Sequence, residues 1–92
     1  MRQFPGGHLS TEAELSLLEC LFEAGSFAEA EAQASRLLHA PGFGGREREL
    51  SLVRAESLIL LDRCSEALAI VDALGERDSR TAAVRRECKR RR

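Results

Sequence analysis

The chain has 92 residues, of which 43% are hydrophobic and 32% charged, with a formal net charge of −1. It is too apolar for a disordered chain, and its apolar runs fall far short of the ~20 residues a spanning helix needs. What remains is one small helical domain, near the size where folding alone leaves a thin margin of stability.

The near-zero charge hides an asymmetry. Up to Ser79, 7 arginines stand against 14 acidic residues, a net of −7, whereas from Arg80 onward 7 basic residues and Glu87 give +6. Body and tail are set to attract each other or to attract different partners. Residues 1–10 carry Pro5-Gly6-Gly7 without periodicity and are expected to form a flexible N-terminal arm. They contain no apolar stretch of the kind a secretory signal needs, so the sequence reads as cytoplasmic.

The first predicted helix is capped by Ser10 or Thr11, with Thr11 and Glu14 at capping-box spacing. Leu15, Leu18 and Phe22 form one apolar stripe and Leu17, Leu21 and Ala24 another, so this helix is apolar over a broad arc. Gly25 ends it, since glycine enters the left-handed region without strain. Ser26 with Glu29 reads as a second capping box, opening a helix to about His39. Its Ala28, Ala30, Ala32 and Ala34 let a neighbouring helix approach closely.

Pro41-Gly42-Phe43-Gly44-Gly45 is the one long breaker segment and reads as a link. From Glu47 a third helix carries Leu50, Leu52, Val53, Ala55, Leu58, Ile59, Leu60 and Leu61. Apolar residues point almost all round it, so it needs cover on both sides. Asp62-Arg63 turns the chain into a fourth helix over residues 65–74, which Gly75 ends. After a cap at Asp78-Ser79, residues 79–92 read as a basic capping helix or tail whose apolar content is Ala82, Ala83, Val84 and Cys88.

These elements repeat. Leu21-x-x-x-Gly25-x-Phe27-x-x-Ala30-x-x-x-Ala34-x-x-Leu37 returns as Leu58-x-x-x-Asp62-x-Cys64-x-x-Ala67-x-x-x-Val71-x-x-Leu74, a shift of 37 positions. The spacing resembles the tetratricopeptide repeat, in which large and small residues alternate so that paired helices nest. Two helix hairpins, residues 11–40 and 46–75, correspond to two such repeats. The pattern departs from the family where its early Trp falls on Glu14, its first-helix Gly on Leu18 and Ala55, and its second-turn Gly on Asp62. The fold implied is all-α: antiparallel helix pairs and a C-terminal helix in a right-handed superhelical stack.

A narrower likeness lies in the second unit. Leu52-Val53-Arg54-Ala55-Glu56-Ser57-Leu58, followed by Arg63-x-x-Glu66-Ala67-Leu68-Ala69, is similar to the small tetratricopeptide-type chaperones of the type III secretion needle subunit. That resemblance implies a concave groove that clasps a helical needle-type subunit, and a small helical co-chaperone beside it. The family's third helix pair is shortened here to a basic tail.

In repeats of this type the first helix of each unit lines the concave face. Position for position this gives Leu15, Glu19 and Phe22, then Leu52, Glu56 and Ile59, as candidate partner-binding residues. Each set places apolar, acidic and apolar side chains at i, i+4 and i+7, a face that can accept an amphipathic helix. The same apolar residues would also serve simply to fill a small core. A generic tetratricopeptide-like adaptor or a homo-oligomeric scaffold is the alternative function.

Other chemistry finds little footing. Around Glu19 and Glu56 nothing in the sequence suggests a catalytic nucleophile, a metal site or a substrate pocket, so no catalysis is expected. His8 and His39 lack partners at ligand spacing, and no metal or cofactor is expected. Cys20, Cys64 and Cys88 form no C-x-x-C pair and read as reduced, buried apolar side chains rather than a disulfide framework or zinc site. The tail from Arg85 to Arg92 has no interleaved aromatics on which bases could stack, so no nucleic-acid partner is expected.

Overall fold

In a computed structural model, residues 10–75 and 78–91 are described. The expected arm lies almost wholly outside them. The described residues form five helices and no strands: α1 (Thr11–Glu23), α2 (Phe27–Leu38), α3 (Glu47–Leu60), α4 (Cys64–Leu74) and α5 (Ser79–Arg90). None is long and apolar enough to cross a membrane.

Helices α1 and α2 run antiparallel, and so do α4 and α5, as the side-chain pairs across them require. Glu14, early in α1, accepts hydrogen bonds from Gln33 (2.9 Å) and Arg36 (2.7 Å), late in α2. Arg54 of α3 reaches back to Glu31 of α2 at 2.9 Å. Arg85 of α5 meets Asp72 of α4 at 2.8 Å. The stack measures 46 × 25 × 17 Å, longer than it is wide.

The sequence repeat reappears in the backbone. Gly25 takes φ 83° and Asp62 φ 62°, and in each turn the next residue's N–H reaches five residues back: Ser26 to the Leu21 carbonyl (2.9 Å), Arg63 to the Leu58 carbonyl (2.8 Å). Both are helix-closing turns that occupy the last free carbonyls. Aspartate tolerates the left-handed region better than most residues, which is how Asp62 serves where glycine would be easier.

Of the three predicted caps, two differ in detail. Ser10 caps α1 by accepting from the Ala13 N–H (3.1 Å), and Glu14 reaches across to α2. Ser26 precedes α2 but makes no side-chain cap hydrogen bond, so the expected Ser26–Glu29 box does not form. Asp78 and Thr81 do form a reciprocal box at the start of α5.

Two apolar clusters fill the interior, and α3 belongs to both. Leu50 joins Leu18, Ala30, Ala34, Leu37 and Phe43; Leu52, Ala55, Leu58 and Ile59 join Ala67, Val71, Val84 and Cys88. Phe43, from the link, is 5% exposed and closes the first cluster, so this segment is a plug as well as a spacer. The alanines Ala30 and Ala34 are fully buried, and α2 packs more extensively on α3 than on α1. Their small side chains thus serve the contact between units more than the first hairpin.

The cysteines correct the sequence reading. Cys64, the first residue of α4, is disulfide-bonded to Cys88 in the last turns of α5, with Cα atoms 5.5 Å apart, and Cys20 is exposed. A separation of 24 residues conceals the pairing, because only the antiparallel α4–α5 hairpin brings the ends together. α5 buries just Thr81, Val84 and Cys88, so the cross-link supplies much of its anchorage. Closing a loop of this length removes chain entropy worth about 3 kcal/mol. Reduction is therefore expected to lower the melting temperature by roughly 10 °C or more. Thermal melts with and without dithiothreitol check this, and coincident curves would contradict it.

Candidate functional site

α1 and α3 are both covered by α2, yet they do not close on each other. Between them lies a cleft of about 300 Å³, lined from α1 by Leu15, Leu18, Glu19, Phe22 and Glu23, from α3 by Glu49, Leu50 and Val53, and by Arg46 just before α3. Its floor is apolar because it exposes the edge of the first cluster, and its rim is mostly acidic. A second cleft of about 280 Å³ continues past Phe22, lined by Glu56, Ile59 and Leu60 of α3 and by Ala83, Val84 and Glu87 of α5. Phe22 borders both clefts and is held edge-on against Phe27, with ring centroids 5.3 Å apart.

The concave face expected from the sequence is thus partly assembled. Leu15, Glu19 and Phe22 line the first cleft, and Glu56 stands on the wall of the second. Leu52 does not belong to it. It is fully buried in the second cluster, because α3 is enclosed by α2, α4 and α5 while α1 has only α2 as a close neighbour. Ile59, 5% exposed, is chiefly core and offers the second cleft only its floor.

The transfer by 37 positions assumed that both first helices are equally covered, and at Leu15 and Leu52 they are not. In place of Leu52, Arg46 at the entry to α3 and Glu49, Leu50 and Val53 within it face α1, and further along stands Leu60, which is 43% exposed. Positions 46, 49, 50 and 53 follow i, i+3, i+4, i+7. That stripe was readable, but α3 carries so many apolar positions that no single one stands out.

Charges around the second cleft are bound within the chain. Arg80 holds Glu56 at 3.2 Å, and Arg90 and Arg91 hold Glu87 at 2.6 and 3.0 Å. Hydrogen bonds from Arg90, then Arg91, keep the Glu87 carboxyl below the usual carboxylate range, so it is ionised at neutral pH. Arg91 also reaches Asp62 at 3.0 Å, and Arg85 reaches Asp72. The basic tail is therefore folded back on the acidic body through exposed pairs that solvent screens. Among the described residues no three His, Cys, Asp or Glu side chains gather as a metal site.

In comparisons with known proteins, the chain matches no family model, no curated protein and no solved structure.

The distinction between core and cleft has a direct consequence for stability. Leu52→Ala should cost about 2–5 kcal/mol, the usual result of emptying a buried leucine site. Leu60→Ala, on the open wall, should stay within about 0.5 kcal/mol of the parent. Urea unfolding followed by circular dichroism measures both; equal losses would contradict the assignment.

Proposed function

We propose that the chain is a protein-binding module, not an enzyme, whose open face holds an amphipathic helix of another protein. The observation that carries this is the cleft between α1 and α3, apolar at its floor and left unfilled by the described residues. Its continuation along α5 makes a second apolar depression beyond Phe22. Helix-in-groove binding uses such a surface, with anchors spaced one or two turns apart.

The duplicated turns at Gly25 and Asp62 support the finer reading of the fold as two tetratricopeptide-like repeats and a C-terminal helix in a right-handed superhelical stack. Two repeats fall short of the ~3 that usually make such a stack self-sufficient, which favours completion by helices from outside these residues. With the sequence likeness in the second unit, this leads to a type III secretion chaperone. In that role the chain covers the apolar face of a needle-type subunit, prevents premature polymerisation, and is itself steadied by a small helical co-chaperone. Disulfides are rare in reducing compartments. The Cys64–Cys88 bond therefore counts against the cytoplasmic part of this reading and leaves the binding role untouched.

A second reading, a homo-oligomeric scaffold or generic adaptor, draws on the outer face of α1, where Leu17 is 39% exposed beside the exposed Cys20. Co-expression with the products of adjacent genes, followed by size-exclusion chromatography with light scattering, separates the two. The chaperone reading expects a defined hetero-complex that Phe22→Asp or Leu60→Asp abolishes while circular dichroism stays helical. A homodimer unchanged by either substitution would overturn it.

A further inference from the structure

The rim of the first cleft is charged in a way that the described residues do not use. Glu19, Glu23 and Glu49 surround it against one cation, Arg46, whose approach to Glu49 is a loose 3.8 Å. Among the described residues, Glu19 and Glu23 form no ion pair, in a chain where Glu14, Glu31, Glu56 and Glu87 all do. Helix α1 contains no lysine or arginine at all.

Both placements work against α1 as an isolated helix. Like charges at i and i+4 repel across one turn, and Glu23 in the last turn faces the negative end of the helix dipole. Local rules broken without compensation inside a chain mark the places where something outside it supplies the compensation. Here that something is positive charge.

We infer that the occupant of this cleft is a basic amphipathic helix: an apolar stripe seated against Leu15, Phe22 and Val53, flanked by lysine or arginine over Glu19 and Glu23. The inference rests on the groove reading above and adds the charge of the partner to it. A cationic flank opposite acidic residues steers encounter and rejects acidic helices that share the same apolar stripe.

Two labelled helical peptides of about 14 residues, roughly four turns, with one leucine stripe in common and either Lys or Glu at the flanking positions, test it against the full chain. Fluorescence anisotropy at about 0.05 M salt should show the Lys peptide binding at least about tenfold tighter, and raising salt to about 0.5 M should shrink that advantage. The paired substitution Glu19→Lys with Glu23→Lys should reverse the preference. If both peptides bind equally, and Phe22→Asp or Leu60→Asp abolishes binding of both, the groove stands and the inferred charge of the partner is overturned. If neither peptide binds, or if helical Phe22→Asp and Leu60→Asp variants bind as the parent does, the groove reading fails and this inference with it.

Discussion

Helix α3 has to be buried on several sides at once. Leu50, Leu52, Ala55, Leu58 and Ile59 are all 5% exposed or less, and they point into two different clusters. Hiding each large side chain is worth about 1.5–3 kcal/mol, so α3 is where most of the apolar stabilisation of this small domain converges. The other elements are arranged to cover it: α2 presents Ala30 and Ala34 for close approach, α4 presents Ala67 and Val71, and α5 adds Val84 and Cys88. The chain is better described as a sheath around α3 than as two equal hairpins.

That priority leaves α1 at the margin. It packs on α2 through Leu18 and the Glu14–Gln33–Arg36 network, but nothing in the described chain fills the space between its Leu15–Phe22 face and α3. The same shortage at the other end is met differently. α5 has little apolar surface, and it is fastened by the disulfide and by Arg80, Arg85 and Arg91 reaching onto acidic residues of the body. One end is tied down by covalent and electrostatic links, while the other keeps an open apolar cleft. The binding role proposed for the chain follows from this inequality.

Much of the architecture was legible because it depends on local signals. Gly25 and Asp62 stop helices where the repeat places them, Gly75 ends α4, and Asp78 caps α5 as its position before Ser79 suggests. What escaped depends on distance. Cys64 and Cys88 share no motif, and their pairing exists only once α4 and α5 are antiparallel. Phe43 reads as a loop residue between glycines until the link folds back over Leu18 and Leu50. Leu52 shares its repeat position with Leu15, yet one is core and the other cleft, because a terminal helix and a central helix of the same pattern meet different numbers of neighbours. Of the candidate face, Leu15, Glu19, Phe22 and Glu56 were visible from periodicity; Val53 and Leu60 were masked by the abundance of apolar positions on α3.

Native-state hydrogen exchange on the free chain tests this inequality most directly, since local protection reports how firmly each helix is held. The α1 amides should exchange at least roughly tenfold faster than those of α3, and filling the cleft with a bound helix should slow α1 selectively. Equal protection of α1 and α3 in the free chain would contradict this, for α1 would then already be as completely packed as the helix the fold is built around.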